Sequence, residues 1–164
     1  MNTQETISAF TGFFRDRGHR PIPGSSLLSR PGDPVLLTSA GMHPLTPYLT
    51  GQPYPLGRRL TGVQRCLRTT DLEEVGDRFH LTVFGMLGSW SLGDYTGPQS
   101  QRWGVELLCD RFGLDRDLLY ATVFAGDGQT GPDTTALETW TELGLPPNGT
   151  TNSSATPTGC PGNW

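Results

Sequence analysis

The chain has 164 residues, a length that suits one domain with a single core rather than two. Hydrophobic residues make up 34% against 22 glycines and 14 prolines, a loop-rich composition that implies a modest or incomplete core. The net charge is -4 and all 12 cationic side chains are arginines, so a broad basic field for polyanions is excluded and any nucleic-acid contact must be local.

Cys66, Cys109 and Cys160 form no CxxC and no Cys/His cluster, so no metal site is expected. No apolar run approaches the ~20 residues that span a bilayer, and no leader opens the chain. The expectation is a cytoplasmic protein without membrane contact, its thiols reduced.

In chain order, Asn2-Thr3-Gln4-Glu5 is a capping box. Ile7, Phe10, Phe13 and Phe14 follow at helical spacing until Gly18, which predicts an amphipathic first helix. Residues 20–34 carry Pro, Gly and Ser and are expected to form a connecting loop, with a short buried strand at Val35 to Thr38 and a turn-rich stretch from Tyr48 to Arg59. Val63 to Leu67 and His80 to Phe84 are β-prone runs flanking an acidic, turn-rich segment, which predicts an antiparallel strand, loop, strand unit. Pro98 opens a helix that places Trp103, Leu107, Leu108 and Phe112 along one side before Gly113. Leu119 to Phe124 reads as a strand, and Asp133 caps a last helix that buries Leu137 and Trp140 and ends at Gly144. The order is that of an α+β fold over residues 1–145. Residues 146–164 have little to bury and are expected to form a flexible tail.

Arginines, a histidine and an aromatic gather between Arg65 and Tyr95. Arg68 ends the first strand, and His80 and Phe84 would share one face of the second by alternation. That set suits a phosphate and an adenine ring. The pattern of Arg68 followed by His80-x-x-x-Phe84 resembles the second signature motif of class II aminoacyl-tRNA synthetases. Leu37-Thr38-Ser39-Ala40-Gly41-Met42-His43-Pro44, with Gly18-His19 and Asp33-Pro34 before it, is similar to the first signature segment of the alanine-specific members. Met86-Leu87-Gly88-Ser89-Trp90-Ser91-Leu92-Gly93-Asp94-Tyr95 is similar to their MLGNFSFGDY, so the resemblance spans residues 5 to 145.

The resemblance implies a partial class II antiparallel sheet flanked by helices, and ATP-dependent ligation of alanine to tRNA with Mg2+. It implies Arg68 at the α-phosphate and the alanine carboxylate, His80 at the triphosphate tail with Arg78 sharing that role, and Phe84 under the adenine. Asp71 would meet the adenine amino group, and Trp164 would begin an Asn-x-Trp segment beside the alanine pocket. Read on residue type alone, Arg68 is also a surface arginine paired with Asp71 or Glu73, Phe84 a core strand residue, and Asp71 a turn former. Met42 and Met86 are expected in the core.

Two departures stand out. Gly85 occupies the position where members usually carry Glu, and nothing resembles the third signature motif, the Gly-rich strand and helix whose arginine grips the γ-phosphate. A chain without that strand is expected to leave a sheet edge unpaired and to associate with a missing catalytic half or as a homo-oligomer. The rival expectations are an incomplete paralogue that binds a nucleotide or a partner, and one half of a split synthetase.

Overall fold

The computed structural model describes residues 1–28, 35–69, 72–78, 80–127 and 129–145, and the backbone of 149–151. The chain divides into two compact units, Met1–Asp94 and Tyr95–Trp164.

The first unit opens with α1 (Thr3–Arg15). The capping box is formed as the sequence predicts: the Asn2 side chain accepts from Glu5 N at 2.9 Å, and Glu5 accepts from Asn2 N at 2.9 Å. Phe13 and Phe14 are buried, and Phe14 meets Phe10 and the His19 ring at centroid distances of 4.8 and 5.0 Å. Gly18, at φ 82°, turns the chain out of the helix, a conformation that costs a residue with Cβ dearly.

A three-stranded sheet follows, in the order β1 (Arg20–Ile22), β2 (Arg59–Leu67), β3 (Val83–Ser91). The expected antiparallel hairpin is β2 with β3, in register from Arg59↔Ser91 to Leu67↔Val83. It is longer than the sequence suggests at its open end, where β2 begins at Arg59 and β3 runs on to Ser91, and shorter at the loop, where β3 begins at Val83 rather than at His80. Thr61 and Gly62 interrupt the apolar run that would have marked its start. They are buried all the same, because β2 is the central strand and both its faces are covered at this end.

The expected loop over 20–34 is corrected at its start, since β1 pairs in parallel with Leu60 to Gly62. Pro21 lacks an N–H and so belongs on such an edge strand. Gly62 lets β1 close in, because a Cβ there would stand 2.8 Å from the Ile22 carbonyl oxygen. The strand expected at Val35 to Thr38 reduces to a single bridge, Leu28↔Leu37. Val35 and Leu36 are exposed, whereas Thr38 is buried with its N–H on the Leu27 carbonyl and its hydroxyl on that of Ser26. Hydrogen bonding rather than apolar burial holds this segment. A turn of 3-10 helix (His43–Leu45) and the short α2 (Thr46–Leu49) precede β2. Met42 is exposed, against the expectation of a core position, while Met86 is half-buried and its sulfur accepts from Gly41 N at 3.2 Å.

The second unit contains α3 (Gly97–Val105), which continues as a π-helical turn over Glu106–Arg111. The wider turn appears as Phe112 N donating to the Leu107 carbonyl, five residues back, at 2.9 Å. β4 (Thr122–Phe124) and α4 (Thr134–Glu142) follow, the latter capped by Asp133 accepting from Ala136 N at 2.9 Å. Leu137 is exposed, contrary to expectation, and the buried residue of α4 is Thr139, whose hydroxyl is satisfied by the Thr135 carbonyl. Arg102 and Glu142 join α3 to α4 at 2.7 Å. Within the segment expected as a tail, Gly149–Thr151 form β5, parallel to β4, and the rest lies outside the described residues.

Candidate nucleotide site

The β2–β3 hairpin carries four of the six expected site residues onto described positions. Asp71 and Trp164 lie outside the described residues.

Arg68 directly follows β2, and its N–H continues the ladder onto the Thr82 carbonyl at 2.9 Å. Its side chain is exposed, but Nε donates to the Ser39 carbonyl at 3.1 Å, which fixes the guanidinium from the first-motif segment. The guanidinium carbon stands 5.3 Å from the centre of the Phe84 ring, within range of a cation–π contact. Phe84 is half-buried on β3, opposite Cys66. The structure thus brings Arg68 and Phe84 together, one offering guanidinium nitrogens without a partner among the described residues and the other an aromatic face. The Ser39 anchor was not foreseen, because a backbone carbonyl leaves no mark in a sequence.

His80 is placed differently from the alternation expected of it, since it precedes β3 and does not share a strand face with Phe84. Its ring sits among the carboxylates of the loop: Nδ1 is 2.7 Å from Asp77 Oδ2 and Nε2 is 3.2 Å from Glu74 Oε2. Its backbone N–H also donates to Asp77 Oδ1 at 2.7 Å. The loop therefore holds its histidine by its own acids. Asp77 and Glu74 were missed as site residues, although acids three and six positions before a histidine within a turn-rich loop are a usable signal. Arg78 is exposed at the end of the same loop.

Beneath the hairpin, Gln64 is buried and ties β2 to the preceding loop, accepting from Ser25 N at 2.7 Å and donating to the Ser25 carbonyl at 3.1 Å. Burial pushes the Cys66 thiol up, against the opposing pull of Arg68, so this cysteine is a packing residue and not a nucleophile. A small cleft of about 90 Å³ between Gly24, Gly41, Gln64 and Trp90 is well below the size of ordinary ligand pockets.

At the opposite end of β2, Arg59 holds Asp94 through two bonds of 3.0 Å, which orders the turn after β3 and keeps the Asp94 carboxyl below its ordinary range. His19 is buried behind it with Nδ1 3.0 Å from the Phe14 carbonyl, and burial lowers its pKa from the ordinary 6.5. Between the lowered folded value and 6.5 the unfolded chain binds the extra proton, so stability falls as pH drops through that window and levels off below the folded value. Thermal unfolding followed from pH 8 to pH 5, a range set about the ordinary histidine value, should show Tm declining below about 6.5, with a flatter profile in His19→Phe.

A family model for class II (A) tRNA synthetases matches residues 5–156. The chain belongs to the class II tRNA synthetases. Among curated proteins, this class II chain is similar to the alanine–tRNA ligase of Treponema denticola, with 46% identity over 151 residues, covering 88% of the chain and 25% of that protein. It is similar also to the alanine–tRNA ligases of Borrelia hermsii, 43% identical over 148 residues, and Rubrobacter xylanophilus, 42% identical over 146 residues. Each comparison covers 89% of this chain, and they cover 25% and 17% of those ligases respectively. The class II chain thus spans about a quarter or less of the length of the curated relatives it matches. The α+β fold with its hairpin accords with a part of a class II catalytic domain.

Proposed function

We propose that this chain is the part of an alanine–tRNA ligase catalytic domain that holds ATP, and that it serves ATP-dependent activation of alanine and its ligation to tRNA. The observation that carries this reading is the Arg68 guanidinium held 5.3 Å from the Phe84 ring centre, at the mouth of a hairpin whose sequence is that of the family. The alanine–tRNA ligase names of its relatives supply the amino acid.

The chemistry is attack of alanine's carboxylate on the α-phosphorus of MgATP, giving alanyl-adenylate and releasing pyrophosphate, followed by transfer to the 3′ end of tRNA. Mg2+ arrives with the triphosphate, whose oxygens supply much of its coordination. No covalent enzyme intermediate is required, so the protein's part is to align the reactants and to offset charge at phosphorus. Arg68 does the second, its Nε fixed by Ser39 and its side chain exposed. Phe84 gives the adenine a face to stack on. For the triphosphate to reach His80, its oxygens would take the place of Glu74 at Nε2. Arg78, two residues before it in the chain, shares that role, and Asp71 and Trp164 complete the proposed set.

Alanine-dependent exchange of labelled pyrophosphate into ATP tests the reading. Exchange that rises with alanine, and more steeply than with glycine or serine, is the expected result, and exchange independent of alanine refutes it.

A further inference from the structure

We infer that the open cleft between Arg20 and Arg58 binds the phosphate backbone of RNA, as a second contact for the tRNA that the proposed function requires. The cleft, about 360 Å³, is lined by Gly18, Arg20, Leu56, Gly57, Arg58, Arg59 and Asp94. Three arginines and one aspartate line it, in a chain whose overall charge is -4. Arg59 and Asp94 engage each other through two bonds, so the cleft's uncompensated charge falls to Arg20 and Arg58.

Arg58 is set in place by Nε donating to the Leu92 carbonyl at 3.1 Å, while Leu92 N donates back to the Arg58 carbonyl at 2.7 Å. A guanidinium fixed by one nitrogen presents the others as a fork that matches phosphate oxygens. Gly93 makes room for it, since a Cβ there would stand 3.1 Å from Nη2. Gly18 and Gly57, both at positive φ, form part of the wall without side chains to obstruct a backbone lying across it. The cleft is open rather than enclosed, which suits one segment of a long polyanion better than a small anion that must be surrounded.

Position argues the same way. The cleft lies at the Arg59 end of β2 and Arg68 follows its other end, so at a rise of about 3.3 Å per residue the two are roughly 26 to 30 Å apart. One nucleotide cannot touch both, whereas an RNA with its 3′ end at the hairpin is long enough to do so. This inference rests on the synthetase reading only for the identity of the RNA.

The test uses a fluorescent acceptor-stem RNA hairpin titrated with the chain across a range of KCl. Arg20→Gln/Arg58→Gln should weaken binding about tenfold and flatten the slope of log affinity against log salt by about 1.4 to 1.8, the loss of two phosphate contacts. A control with the same charge change at residues that do not line the cleft, Arg102→Gln/Arg111→Gln, should lose less than about threefold, because exposed charges outside the contact act only through a screened field. Circular dichroism checks that both variants fold, and Arg20→Lys/Arg58→Lys should recover part of the affinity. Equal losses in cleft and control variants, or no loss in the cleft variant, overturn the inference. Alanine-dependent exchange in the same preparations separates this from the function proposed above. Cleft-dependent RNA binding without exchange in the unaltered chain supports the cleft and refutes the ligase reading. Exchange abolished by the cleft variant refutes the cleft as a separate site.

Discussion

Arg68→Ala is expected to slow alanine-dependent pyrophosphate exchange about 100- to 1000-fold, the cost of removing one preorganised donor from a developing oxyanion. The fold should be unaffected, because the Arg68 side chain is exposed and its structural tie among the described residues is one bond to the Ser39 carbonyl. Arg68→Lys should recover little of the rate, since a lysine ammonium lacks the planar fork that can hold Ser39 with one nitrogen and phosphate with the others. A variant that exchanges at the unaltered rate would show that phosphate is held elsewhere. A variant that unfolds would instead place Arg68 among the structural residues, and thermal melts separate the two outcomes.

The second large effect concerns stability. Leu60 is wholly buried near the start of β2, where β1 pairs on one side and β3 on the other. Leu60→Ala should cost ~2–5 kcal/mol, the transfer energy of the lost methyl groups together with the cavity they leave. For a unit of this size that lowers Tm by on the order of 10 °C or more. Leu56→Ala, at a half-exposed position just before the strand, should change stability by less than about 0.5 kcal/mol. Equal shifts for the two would mean that β2 is not the centre of the sheet.

Leu60 also shows where the sequence was legible and where it was not. The start of helix α1 was legible, because its capping box acts locally, whereas its end at Arg15 falls short of the Gly18 that the periodicity pointed to. The hairpin was legible at its middle, where Val63, Cys66 and Leu67 are β-prone, and illegible at its start, where Thr61 and Gly62 are buried by neighbouring strands that no local pattern announces. β1 escaped for the same reason. Three residues with a central proline become a strand only because Gly62 admits them.

The site divides along a similar line. Arg68 and Phe84 could be paired through the resemblance to the second signature motif, and the structure brings them together at the loop end of the hairpin. His80 could not be placed by alternation, because Asp77 and Glu74 draw it into the loop before the strand begins. Strand periodicity extends only as far as the ladder. Ion pairs in a turn follow side-chain reach instead.

The most direct test of the central claim is where the adenine lies when MgATP binds. Transferred nuclear Overhauser effects between the adenine H2 and H8 protons and the ring of Phe84, lost in Phe84→Leu, are the result this account predicts. MgATP that binds with no such effects, and with equal affinity in Phe84→Leu and Arg68→Ala, would contradict it.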